Sequence, residues 1–118
     1  MTSERRLRKR VNLSVYLAAT NATTYDVLGH LIDISPAGFL LLTERTLDQQ
    51  GTLSINIQLP EPLENLNIIN VIAQIIRSKP SPKPNFYETA FEITYASSQT
   101  KRIIEILQDQ WHLQLPNQ

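Results

Sequence analysis

Apolar and polar residues alternate with a period of two along most of this chain, and the period lengthens only near its end. Val11, Leu13, Val15 and Leu17 alternate with Asn12, Ser14 and Tyr16. That is the pattern of a half-buried strand, so a first strand is expected over Val11 to Ala19. Thr20-Asn21-Ala22-Thr23-Thr24 reads as a turn, and a second run spans Tyr25 to Ile34. Ser35-Pro36-Ala37-Gly38 breaks that run, and Phe39 to Leu42 supplies a short third strand. Leu47 to Gly51 is a short helical or irregular link that ends at glycine. Leu53, Ile55, Ile57 and Leu59 then alternate with Ser54, Asn56 and Gln58, a fourth strand expected to stop at Pro60. Leu66 to Arg77, rich in β-branched residues, is the fifth, and Phe86 to Tyr95 the sixth. Between these two, Lys79-Pro80-Ser81-Pro82-Lys83-Pro84 is poor in backbone donors and reads as an exposed loop.

From Ser97 or Ser98 the period becomes helical. Ile103, Leu107 and Trp111 recur every fourth residue with Ile104 beside them, which makes one helix face apolar. A serine supplies the N-cap and Pro116 ends the helix. Six short strands followed by one amphipathic helix predict an all-β fold with a C-terminal helix, in the form of a small antiparallel barrel.

Composition narrows the class. The 118 residues suffice for one domain, and 42% hydrophobic with 19% charged residues fits a soluble globular protein. With no cysteine, disulfides and thiolate metal sites are excluded, which fits a reducing compartment. The basic start resembles the charged region of a signal peptide, but Asn12, Ser14 and Tyr16 interrupt the apolar run that should follow. The expected location is therefore the cytoplasm, without membrane insertion, since no stretch reaches the roughly 18–20 apolar residues of a spanning helix.

The formal net charge of zero conceals an asymmetry. Arg5, Arg6, Arg8, Lys9 and Arg10 against Glu4 leave +4 on residues 1–10, and the six basic and ten acidic side chains that remain leave −4. A protein that coats DNA spreads positive charge over a whole face. Confinement to one short segment suits a small anionic ligand better, and no DNA partner is expected.

Little supports catalysis, and no enzyme is expected. His30 and His112 are the only histidines and have no metal-ligand spacing. Asp26 and Asp33, seven residues apart in one strand pattern, would face opposite sides. No glycine-rich phosphate loop occurs among three glycines.

Two segments carry candidate binding chemistry. In Arg5-Arg6-Leu7-Arg8-Lys9-Arg10, guanidinium forks match phosphate oxygens, dock on the O6/N7 edge of guanine and stack on π-faces. Arg6 and Arg10 would lie roughly 13 Å apart in an extended chain. In Asp33-Ile34-Ser35-Pro36-Ala37-Gly38 a carboxylate and a hydroxyl alternate before a turn closed by glycine. A carboxylate can accept from the N1–H and N2–H₂ edge of guanine, and glycine permits close backbone approach. Taken singly, the first segment reads as a solvated basic tail and the second as an ordinary Asx-type turn.

Together and in this order, the two segments resemble the PilZ domain family, whose signature is Arg-x-x-x-Arg followed by Asp/Asn-x-Ser-x-x-Gly. Arg6 to Arg10 and Asp33 to Gly38 match both motifs in full. Gly51, the run Val71-x-Ala73-x-Ile75-x-Arg77 and Ala90-Phe91-Glu92-Ile93 extend the likeness, with Ala73, Ala90 and Ile93 departing from the family pattern. The resemblance implies a six-stranded antiparallel PilZ-type β-barrel over residues 11–118 with a C-terminal helix, preceded by a flexible basic ligand-binding segment, residues 1–10. It further implies a non-catalytic receptor for cyclic di-GMP that needs no other cofactor. Arg6 and Arg10 would contact phosphate and the guanine Hoogsteen edge. Asp33 and Ser35 would hold the opposite guanine, and Gly38 would allow the turn. Arg5 and Arg77 complete the expected ligand set. Arg5 would favour an intercalated ligand dimer over a single molecule. Ordering of the N-terminal segment would expose a surface to a downstream protein partner. The rivals are a PilZ-like adaptor that binds protein and no nucleotide, and a small barrel for single-stranded nucleic acid. Against the latter, the few aromatic residues are expected to lie mostly at core-facing positions.

Overall fold

The computed structural model of the protein describes residues 17–47 and 50–114, the last four by backbone alone. Six strands are followed by one helix: β1 (Ala18–Asn21), β2 (Val27–Ser35), β3 (Gly38–Thr43), β4 (Thr52–Leu63), β5 (Leu66–Pro80), β6 (Tyr87–Tyr95) and α1 (Ser98–Gln114). All pairings are antiparallel and the sheet closes in the order β1-β2-β3-β6-β5-β4. Closure removes the unpaired edges that an open sheet would offer to other chains. The expected all-β barrel with a C-terminal helix is the architecture found.

Alternation places Leu31, Leu41, Ile55, Ile57, Ile69 and Val71 inside the barrel, each at most 1% exposed. Burial of each such side chain is worth about 1.5–3 kcal/mol. The rings of Phe39 and Phe91, on neighbouring strands, stack with centroids 4.8 Å apart. α1 packs chiefly against β2 and also touches β5. Ile103, Ile104 and Leu107 are buried there, as the four-residue spacing requires. Ser97 is the N-cap: its Oγ accepts from the Thr100 amide at 3.1 Å.

Several strand boundaries differ from the sequence pattern. Val11 to Tyr16 lie outside the described residues; the described part of the first strand runs on to Asn21, because Thr20 and Asn21 pair with Asn56 and Ile55 of β4. Asn21 then caps the turn, its Oδ1 accepting from the amides of Thr23 and Thr24. β4 does not stop at Pro60 but passes through Pro60 and Pro62 to Leu63. The two prolines sit where the β5 register is irregular, between Gln58 and Leu63, and among the described residues they lie beyond those of β4 that pair with β1. Their missing donors therefore break no ladder bond among the described residues. Lys79 and Pro80, expected in a loop, end β5 and pair with Glu88 and Tyr87. Gly51 precedes β4 at φ +82° with open space around it, so this glycine serves the backbone angle.

Candidate functional site

The segment Asp33 to Gly38 forms the tip of the β2–β3 hairpin. Ser35 pairs with Gly38 across the two-residue turn Pro36-Ala37. Proline fixes the first turn angle at negative φ, and Ala37 is not among the residues at positive φ, so the turn is of the unprimed kind. Such a turn splays its strands, and β6 takes up the freed carbonyl: the Ile93 amide donates to the oxygen of Ala37 at 2.9 Å. Within the turn, Ser35 Oγ accepts from the Ala37 amide at 3.3 Å and faces the Gly38 carbonyl at 3.4 Å.

Gly38 does not serve the turn in the way expected. It is outside the left-handed region, and a Cβ placed on it would run into the carbonyl oxygen of Phe91. The glycine lets β6 approach the hairpin closely.

Strict alternation from Gly29 and Leu31 would turn Asp33 inward. A bulge between Leu31 and Asp33 shifts the register, so Ile34 enters the core and Asp33 is exposed on the outer face. The same device acts on β5. Val71, Ala73 and Ile75 point inward, and a bulge between Ile75 and Arg77 leaves Arg77 exposed. The two displaced side chains then share a row across four strands: Asp33 opposes Leu40, Leu40 opposes Ala90, and Ala90 opposes Arg77. Three strand spacings put the two backbones about 14 Å apart. Leu40 and Ala90, half-buried, form an apolar strip between them. Among the described residues the guanidinium of Arg77 has no hydrogen-bond or ion-pair partner.

Flanking rows complete this outer face. On one side Ser35, Gly38, Glu92 and Gln74 follow one another, and Gln74 Nε2 donates to Glu92 Oε1 at 2.8 Å. On the other side lie His30, Leu42, Glu88 and Lys79. Leu40, Ala90, Glu88, Glu92 and His30 are not in the expected ligand set, since strand register alone brings them beside Asp33. The described face carries Asp33, Glu88 and Glu92 against Arg77 and Lys79. It is no basic patch by itself.

Of the expected ligand set, Asp33, Ser35, Gly38 and Arg77 share this face, with Arg77 at its far side. Arg5, Arg6 and Arg10 lie outside the described residues. The described chain begins at Leu17, whose carbonyl accepts from the Leu31 amide at 2.8 Å, two residues from Asp33. Asp26 does not pair with Asp33; it precedes β2 and stands at the opposite end of that strand. Among the described residues no group of His, Asp and Glu could hold a metal ion. No helix among them is long and apolar enough to cross a membrane. The aromatic expectation needs correction, because Tyr25 and Tyr95 are 79% and 65% exposed and, among the described residues, only Phe39 and Phe91 are buried rings.

The PilZ domain model matches residues 3–109. The chain belongs to the PilZ domain family. Two solved structures share the fold at low identity. The Bacillus subtilis inhibitor of motility (MotI/DgrA) is similar at TM-score 0.67 and 19% identity, covering 84% of this chain and 47% of its own. This chain thus spans about half its length. The PilZ domain of YcgR from Escherichia coli, whose structure holds c-di-GMP, is similar at TM-score 0.55 and 17% identity, covering 82% of this chain and 81% of its own. No curated protein sequence matches. PilZ domains are receptor and adaptor domains.

Proposed function

We propose that this chain is a cytoplasmic bacterial receptor for cyclic di-GMP, without catalytic activity, in which the basic N-terminal segment and the outer face around Asp33 hold the ligand together. The observation that carries this reading is a charge deficit. The described face offers a carboxylate, a hydroxyl, an apolar strip and one unpaired guanidinium, but three anions to two cations. A ligand with two phosphates needs cations from elsewhere, and Arg5, Arg6 and Arg10 lie in the one segment of the sequence where positive charge is gathered. Only six residues separate Arg10 from Leu17, so the seven steps between them reach up to about 25 Å. Leu17 in turn is bonded to β2 two residues from Asp33. The intact motifs and the c-di-GMP-bound E. coli relative support the same ligand.

In this reading Asp33 and Ser35 accept from and donate to one guanine edge, while Leu40 and Ala90 floor the base. Arg6 and Arg10 take the phosphates and the other guanine, and Arg77 closes the far side. Arg5 adds a cation and a planar group that can cap a stacked ligand dimer. Binding orders residues 1–10 and creates the surface that a downstream protein reads.

Calorimetric titration with cyclic di-GMP, GMP and single-stranded DNA tests the reading. Saturable binding of cyclic di-GMP alone is expected, at about two ligands per chain, falling towards one in Arg5→Leu. Arg10→Ala should cost on the order of 1.5–3 kcal/mol of affinity. An Arg10→Ala variant that binds like the parent, or a parent that prefers DNA, overturns the assignment. Saturation of the parent at one ligand overturns only the dimer.

A further inference from the structure

The outer face of β5 carries an unusual repeat. Ile68, Ile72 and Ile76 point outward at intervals of four residues, and Asn70 and Gln74 fill the positions between them. Ile68 and Ile76 are 46% and 52% exposed, and Tyr95, which pairs with Ile72 from β6, is 65% exposed. The intervening polar side chains are already engaged sideways. Asn70 Nδ2 donates to Ser54 Oγ at 3.0 Å and to Asn56 Oδ1 at 2.9 Å on β4, and Gln74 reaches Glu92 on β6. The isoleucines are left free between amides whose bonds lie in the plane of the sheet. The bonds that Asn70 and Gln74 donate persist when this face is covered, which limits the cost of desolvating those donors.

The order of residues says what covers it. We infer that the outer face of β5 is the interface of a symmetric homodimer, with the two-fold axis passing at Ile72. Antiparallel apposition of two copies about that residue sets Ile68 of one chain against Ile76 of the other, and Asn70 against Gln74. From Ile68 to Ile76 apolar meets apolar and polar meets polar, which is the self-complementarity a two-fold interface requires. The two Tyr95 rings flank the axis, where a large amphipathic side chain contributes most. Charge agrees with the same register. Lys79 stands at the end of β5, and the other end of the strand adjoins the β4–β5 hairpin, where Glu61 is exposed. In the dimer each Lys79 comes to the hairpin that carries the other copy's Glu61. The closed barrel offers no free strand edge among its described pairings, so association proceeds through this face and not through sheet extension.

Sedimentation equilibrium and light scattering on the full chain without nucleotide test the inference independently of the ligand. The parent should rise from the 13.5 kDa of one chain towards twice that mass with increasing concentration. Ile72→Glu should raise the dimer dissociation constant more than about tenfold by burying a charge. Ile76→Asn, at an exposed position that folding tolerates, should weaken the dimer as well and decides the matter should Ile72→Glu misfold. Lys79→Glu and Glu61→Lys should each weaken association about two- to fivefold, and the double exchange should recover it. A chain that stays monomeric up to about 1 mM, a dimer indifferent to Ile76→Asn, or a double exchange no better than its singles overturns the inference.

Discussion

Two hairpins of this barrel turn on two residues each, and the means that hold them are opposite. At the β2–β3 turn neither Pro36 nor Ala37 has positive φ, and the main chain of β6 secures the tip through the Ile93 amide and the close approach of Gly38 to Phe91. At the β4–β5 turn Glu64 and Asn65 both have positive φ, 49° and 68°, the form whose twist suits a hairpin but strains residues other than glycine. Side chains secure that tip. Arg102 of α1 contacts the Glu64 carboxylate at 3.0 Å, and Gln99 donates to the Glu64 carbonyl at 3.2 Å. The side chains of Asp33 and Ser35 bond only within their own turn, to the Ile34 amide and to the Ala37 amide and Gly38 carbonyl, and their remaining lone pairs face a ligand. In the second, the polar side chains are consumed by the fold. A turn tied to the rest of the barrel by its main chain is where binding chemistry can reside.

The largest effect should come from the close approach itself. Gly38→Val forces a side chain against the Phe91 carbonyl and should lower stability by about 1–3 kcal/mol or more, seen as an earlier denaturant midpoint. Cyclic di-GMP binding should fall with it. A Gly38→Val barrel as stable as the parent would break the comparison, because β6 would then not be what holds the tip.

Asp33→Ala separates the two roles. It should weaken cyclic di-GMP by on the order of 1.5–3 kcal/mol while the denaturation midpoint stays within about 0.5 kcal/mol of the parent. Equal losses in both measurements would mean that the β2–β3 hairpin, too, uses its side chains for folding. Smaller again, Asn65→Gly relieves a left-handed residue in the second hairpin and should raise stability by less than about 1 kcal/mol without touching ligand affinity.

The smallest effect concerns acid. The hydrogen bond from Arg102 holds the Glu64 carboxyl below its ordinary range, aided by the charge of the same guanidinium. A carboxylate lowered in the folded state contributes stability that is fully present above its unfolded value and disappears as pH falls through its folded value. The parent should therefore lose a small increment of stability on acidification that Glu64→Gln lacks. Parallel denaturation curves at neutral pH and near pH 3 measure it. An identical acid slope in both proteins would remove the ion pair from the account of this hairpin.

The family and the kind of barrel were legible in the chain because they rest on local signals: period-two runs, a change to helical spacing at Ser97, and two motifs in order. Strand ends were less legible. Pro60 and Pro62 ordinarily stop a strand, and they failed to do so because their missing donors fall where no neighbour among the described residues pairs with them. Lys79 and Pro80 joined β5 because Glu88 and Tyr87 of a strand distant in sequence were there to receive them.

By itself, the sequence determined which segments are strands, where the helix begins, that positive charge is gathered in residues 1–10, and that Asp33, Ser35 and Gly38 stand together. Only the tertiary structure decided where these groups point. Alternation alone would have buried Asp33 and Arg77. Two bulges, on β2 and β5, turn both outward onto one row with Leu40 and Ala90 between them. A bulge is chosen by the hydrogen bonds and packing of the neighbouring strand, which local periodicity does not contain. For the same reason Gly38, marked by its motif as a turn residue, proved to be the point where β6 comes too close to admit a side chain.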